Sequence, residues 1–69
     1  MEIQQRLGKN VRTRREAMGL SQEAFADLAE LHRTYISDIE RGQRNPTIQV
    51  VEKIAVALNV SAGALLELP

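Results

Sequence analysis

Cysteine is absent from this chain, and histidine occurs once, at His32. The first absence rules out disulfides and thiolate metal sites, and one imidazole cannot hold a zinc ion alone. No metal or other cofactor is therefore expected. Aromatic residues are nearly missing as well. Phe25 and Tyr35 are the only two, too few to form a stacking platform for single-stranded nucleic acid. No apolar run approaches the roughly 20 residues of a membrane span, and no signal-peptide pattern opens the chain. A soluble cytoplasmic protein without membrane contact is expected. Neither a nucleophile–base pair nor a phosphate-cradling glycine loop is found, so an enzyme is not expected.

What is present is a 69-residue chain with nine basic and nine acidic residues. That length makes one domain, residues 1–69, whose core is small enough for stability to be marginal or shared with a partner. A net charge of zero does not advertise a nucleic-acid binder, but the distribution matters more than the sum. Arg6, Lys9, Arg12, Arg14 and Arg15 outweigh Glu2 and Glu16 in the first eighteen residues, whereas residues 19–31 carry only Glu23, Asp27 and Glu30. Arg33, Arg41 and Arg44 then outweigh Asp38 and Glu40. A neutral chain with this order can present a basic face and an acidic back. The plainer alternative is a solvated mixture of charges.

The most informative stretch runs from Ser21 to Gly42. Ser21 is a helix N-cap by type, and Glu23 suits the positive end of a helix. Phe25, Leu28 and Ala29 repeat at helical spacing, Leu31 falls in a turn, and Ile36 and Ile39 mark the inner face of a second helix closed by Gly42. Counted from Gln22, the fifth residue is Ala26, the tenth Leu31, the fifteenth Ile36 and the eighteenth Ile39. A small residue at the fifth place lets two helices cross closely, and the three apolar ones hold the second helix at a fixed angle. That is a helix-turn-helix, whose second helix is built to enter a DNA major groove.

Around it, helix 1 is expected from about Glu2 to Met18, with Ile3, Leu7, Val11 and Met18 as its apolar stripe. Gly8 inside that helix costs about 1 kcal/mol relative to alanine, which close packing would explain. Pro46 excludes helix at Asn45, so residues 43–47 form a loop. Thr47 caps a fourth helix with Ile48, Val51, Ile54, Ala55 and Leu58 inward, and Asn59 suits its C-terminal turn. Ser61 caps a short fifth helix from Ala62 to about Glu67. The expected core is Leu7, Val11, Leu20, Phe25, Leu28, Leu31, Ile36, Ile39, Ile48, Val51, Ile54, Leu58 and Leu65, in an all-α, five-helix domain.

Residues 7–61 resemble the phage-repressor/Cro-type helix-turn-helix family, the xenobiotic-response-element class. The run Arg33-Thr34-Tyr35-Ile36-Ser37 followed by Ile39-Glu40-Arg41 is particularly similar to controller proteins of restriction–modification systems. The resemblance implies a transcription regulator, either such a controller or a small phage-type repressor. It implies a partly buried ion pair between Arg15 and Glu40, and a phosphate anchor at Gln22, where the helix N-terminus also attracts anions. It implies a dimer contact in the last helix and the loop before it, about residues 59–69. Three positions depart from the family pattern. Arg14 replaces an aliphatic residue, Glu30 stands where glycine is usual, and His32 replaces a serine or threonine cap. For His32, capping or simple exposure competes with DNA contact.

With Ile36 and Ile39 inward, Arg33, Thr34, Ser37 and Asp38 fall on the outer face and are the expected base contacts. Arg33 can grip guanine O6 and N7 with two parallel bonds. Tyr35 suits phosphate or a flexible base step, or else packs against helix 2. Asp38 suits cytosine N4 or repels a wrongly placed phosphate, or is only surface charge. Gln22, Arg41, Arg44, Asn45 and Arg12 complete the expected backbone contacts, which position the protein while base contacts give sequence preference. Val60, Leu65, Leu66 and Leu68 exceed what one small core absorbs. They point to an isologous homodimer on a palindromic operator, the alternative for Leu66 and Leu68 being exposure at a fraying end. Glu23, Asp27 and Glu30 would be the surface offered to RNA polymerase if binding activates transcription. A competing reading is a protein-interaction module, such as an antitoxin built on the same fold.

Overall fold

Four α-helices and one 3-10 turn make up the computed structural model, which describes residues 1–69. They are α1 Ile3–Ala17, α2 Gln22–Ala29, α3 Arg33–Glu40, α4 Ile48–Leu58 and the turn Gly63–Leu66. Three helices start on side-chain caps. Ser21 Oγ accepts the Ala24 N–H at 3.0 Å, Thr47 Oγ1 accepts the Val50 N–H at 3.2 Å, and His32 Nδ1 accepts the Thr34 N–H at 3.4 Å. Each hydrogen bond satisfies a donor that the first helical turn leaves unpaired.

All four helices end in the same way. A left-handed residue turns the chain back, and the next N–H returns to a carbonyl of the last turn. The left-handed residues are Gly19, Glu30, Gly42 and Asn59. The returning bonds are Leu20 to Arg15, Leu31 to Ala26, Gln43 to Asp38 and Val60 to Ala55, at 2.8–3.3 Å. Glu30, with φ 58° and ψ 42°, is the costly one, because its Cβ crowds the backbone where glycine would not. Lys53 Nζ donates to the Glu30 carbonyl at 3.3 Å and ties this turn to α4.

The expected fifth helix is instead the single 3-10 turn. Ser61 does cap it, its Oγ accepting the Ala64 N–H at 3.2 Å. The Asn10 side-chain amide then captures the carbonyls of Leu65 and Glu67, at 2.9 and 2.8 Å, and Glu67 is already extended. Pro69 keeps Leu68 out of the helical region too.

α1 packs on α3 and on the C-terminal turn, while α2 bridges α3 and α4. The core is Leu7, Val11, Phe25, Ala26, Ala29, Ile36, Ile39, Val51, Ile54, Ala55, Leu58 and Leu65, with Leu20 and Leu31 half-buried against it. Two expected core residues lie outside. Leu28 is 53% exposed, because the face that α2 buries is that of Phe25, Ala26 and Ala29. Ile48, on the first turn of α4, is 85% exposed. Ile3 and Met18, at the two ends of the α1 stripe, are each 46% exposed.

Candidate nucleic-acid interface

α3 is held from behind at three levels. Ile36 and Ile39 are fully enclosed. Gly8 of α1 meets the end of α3 so closely that an added Cβ would lie 2.4 Å from the Ile39 carbonyl oxygen and 2.8 Å from that of Glu40. Arg15 then grips Glu40 with two bonds, Nε to Oε2 at 2.7 Å and Nη2 to Oε1 at 3.0 Å, while its Nη1 donates to the Leu20 carbonyl at 2.7 Å. The Arg15 and Glu40 side chains are 10% and 3% exposed, so the ion pair is largely buried. The Glu40 carboxylate holds the Arg15 guanidinium charged more firmly than usual, against the opposing effect of burial.

Gln22 joins the same cluster. Its Nε2 donates to Glu40 Oε1 at 3.1 Å, which fixes the start of α2 to the end of α3. A glutamine at this spacing could be read as a helix-start residue, but the link to Glu40 depends on how α2 and α3 cross.

The outer side of α3 carries the remaining candidates. Arg33 and Thr34 are exposed at its N-terminal end, and Arg33 pairs with no carboxylate of the chain. Ser37 is half-buried on the next turn. Tyr35 packs against the core with one side of its ring, and the Arg44 guanidinium lies over that ring, 4.7 Å from its centre. In the free chain Tyr35 thus packs against the core and carries an arginine at once.

Asp38, Arg41 and Arg44 form one array. Arg41 donates to Asp38 Oδ1, and Arg44 Nε donates to Oδ2 at 3.3 Å. The two guanidinium groups, Arg41 foremost, hold the Asp38 carboxyl below the usual carboxylate range. Arg12 stands apart on α1, paired with Glu16 at 3.3 Å. Asn45 lies on the loop beside Pro46, at the rim of an apolar groove lined by Ile3, Leu7, Ile48, Val51 and Leu66. Of the expected contact residues the structure thus gathers Arg33, Thr34, Tyr35, Ser37, Asp38, Arg41 and Arg44 on α3 and the loop after it. Gln22 is joined to them through Glu40, and Arg12 is not.

Among the expected interface residues, Leu65 is 0% exposed and belongs to the core, where it seats the C-terminal turn on α1. Val60 and Leu66 are half-buried against the core, and Leu68 is 70% exposed. Asn10, which holds that turn, carried no signal in the sequence beyond being an amide next to the α1 stripe.

A short helix braced behind by a buried ion pair, with exposed arginine and hydroxyl groups and a half-buried tyrosine in front, defines a helix-turn-helix DNA-binding domain. The Helix-turn-helix (HTH_3) family model matches residues 11–65. The chain is 46% identical over 66 residues to the control protein C.SmaI of Serratia marcescens, covering 96% of this chain and 79% of that one. It superposes on the restriction-modification controller protein C.AhdI of Aeromonas hydrophila with a TM-score of 0.85, at 40% identity over 90% of this chain and 94% of the other. It also superposes on the biofilm master regulator SinR in complex with DNA, TM-score 0.83, 35% identical, covering 88% and 98% of the two chains. The chain belongs to the helix-turn-helix family of transcription regulators. Membership places it among regulators and not among enzymes. No helix is long and apolar enough to cross a membrane.

Proposed function

We propose that the chain is a sequence-specific, cytoplasmic regulator of transcription that binds a palindromic operator as a homodimer, in the manner of a restriction–modification controller. Residues 1–69 act as one DNA-binding domain, with the region 59–69 at the dimer contact. The observation that carries this reading is the presentation of α3. Its inner side is locked by Ile36, Ile39 and the Glu40 pair, while Arg33 and Thr34 stand exposed at its leading end. Rigid placement matters because a base contact gives discrimination only if its side chain arrives in register.

Base readout is assigned to Arg33, Thr34 and Ser37, with Asp38 as a candidate acceptor. Backbone contact is assigned to Gln22, Tyr35, Arg41, Arg44 and Asn45, and Arg12 is a peripheral member. One such helix reads few base pairs, so two copies about one DNA turn apart, roughly 34 Å, are required. Leu66 and Leu68, together with Ile48 and Ile3, supply apolar surface for a second copy. If binding activates transcription, exposed Glu23, Asp27 and Glu30 are the surface for RNA polymerase.

The test is selection of bound duplexes from a random DNA pool, with wild type and Arg33→Ala in parallel. A two-fold symmetric motif that loses a guanine preference in the variant is expected. A second reading, a protein-interaction module, draws on the exposed pair Leu28 and Val56. No enriched motif at low salt and high protein concentration would favour it over DNA binding.

A further inference from the structure

Two of the arginines assigned to phosphate are already occupied by an anion of the chain itself. Arg41 donates to one oxygen of Asp38, and Arg44 Nε donates to the other at 3.3 Å. Arg44 is further held over the Tyr35 ring. The Asp38 side chain is 19% exposed, tucked between the two. A carboxylate offers a guanidinium what a phosphate offers, two acceptor oxygens and a negative charge. Arg33, by contrast, has no such partner.

We propose that Asp38 restrains sequence-independent DNA binding by occupying Arg41 and Arg44 as an internal stand-in for phosphate. The proposal rests on α3 being the recognition helix. Affinity for an arbitrary duplex comes almost wholly from cations meeting phosphate. Arg41 and Arg44 gain from such a contact only the difference between phosphate and the carboxylate they give up. In a chain of zero net charge this keeps the sequence-blind part of the affinity small, and leaves a larger share to base contacts from Arg33, Thr34 and Ser37, which do not pass through Asp38. The arrangement also explains an acidic residue at the carbonyl end of a helix, where the dipole alone disfavours it.

The test is binding of fluorescently labelled random-sequence duplex, followed by anisotropy across a range of salt, for wild type and Asp38→Asn. The amide keeps the size of the side chain and removes its charge. The variant is expected to bind about tenfold more tightly at low salt, with a log–log salt slope steeper by about 0.9, one phosphate contact. When Arg41→Gln and Arg44→Gln are already present, adding Asp38→Asn is expected to change affinity by less than about twofold, since the coupling runs through those arginines. Equal or weaker binding by Asp38→Asn, beside a wild type that binds, would overturn the proposal and leave the DNA reading standing. So would a tenfold gain that persists without the two arginines, because it would reflect net charge alone. If neither protein binds any duplex at low salt, the recognition-helix reading itself fails, and the proposal with it.

Discussion

Gly8 of α1 touches the backbone of Ile39 on α3: a Cβ built on Gly8 would lie 2.4 Å from the Ile39 carbonyl oxygen. The contact is backbone against backbone, so no flexible side chain can yield. Gly8→Ala gains about 1 kcal/mol of helix propensity. It is nevertheless expected to destabilise the domain by about 1–3 kcal/mol, the range for forcing extra atoms into a packed contact. Urea unfolding followed by circular dichroism checks this, and an unchanged or raised midpoint would show that α1 and α3 are not held at this distance.

Glu40→Ala strands Arg15 with a buried charge. Loss of one partner of a buried pair costs roughly 3–5 kcal/mol, a large part of what a domain of this size has to spend. The variant is expected to be largely unfolded at moderate temperature, whereas the corresponding loss at the exposed Arg12–Glu16 pair, Glu16→Ala, should cost under about 1 kcal/mol. Thermal melts of both variants decide it, and similar small losses would contradict the burial of the Arg15–Glu40 pair.

Glu30→Gly should act in the opposite direction. Glu30 is left-handed at φ 58°, and the Lys53 bond is to its backbone carbonyl, which glycine retains. Relief of the Cβ strain, less the greater freedom of glycine in the unfolded chain, leaves a gain of about 0.5–1 kcal/mol. For a domain of 60–100 residues each 1 kcal/mol raises Tm by about 4–8 °C, so a rise of a few degrees is the expected readout.

The pH dependence of the Asp38 array follows from the direction of its shift. The carboxyl titrates below its ordinary value of 3.8 in the folded chain, because Arg41 and Arg44 donate to it. Its stabilisation is therefore present above the ordinary value and is lost as pH falls through the lower, folded one. Wild type is expected to melt above Asp38→Asn near neutrality, and the two curves should converge in the acid range below 3.8. A difference that stays constant with pH would remove the array from the account.

Self-association should depend on exposed apolar residues that the domain does not need for its own core. Ile48→Glu and Leu68→Glu are expected to fold as wild type does and to shift sedimentation toward the monomer. Unchanged sedimentation of both would place the dimer contact elsewhere.

Much of this was legible in the residues because it depends on local chemistry. Ser21, Thr47 and Gly42 announce helix ends by what their side chains can or cannot do, and α2, α3 and α4 begin at the expected residues. The Ile36–Ile39 spacing identifies the inner side of α3, and Gly8 announces a close approach without naming its partner. Leu28 and Ile48 misled because periodicity assigns a face but not what stands opposite it. The C-terminal helix shrinks to a single 3-10 turn that Asn10, more than fifty residues away, holds by the Leu65 and Glu67 carbonyls, a contact that local spacing does not announce. The Asp38 array escaped notice for a related reason: Arg44 lies on a loop, and only the closure of α3 at Gly42 folds it back.

The two bonds from Asn10 to Leu65 and Glu67 also bear on the order in which the molecule assembles. They close a loop of 55 and 57 residues, one of the longest this chain can make, and such closures form late because their entropic cost precedes any reward. Leu65 enters the core, and Leu66 takes its place at the surface, only when α1 is already in position. A nascent or partly folded chain therefore has no finished surface on which a second copy could dock. If copies pair through this surface as proposed, pairing is expected only of molecules whose recognition helix is already braced.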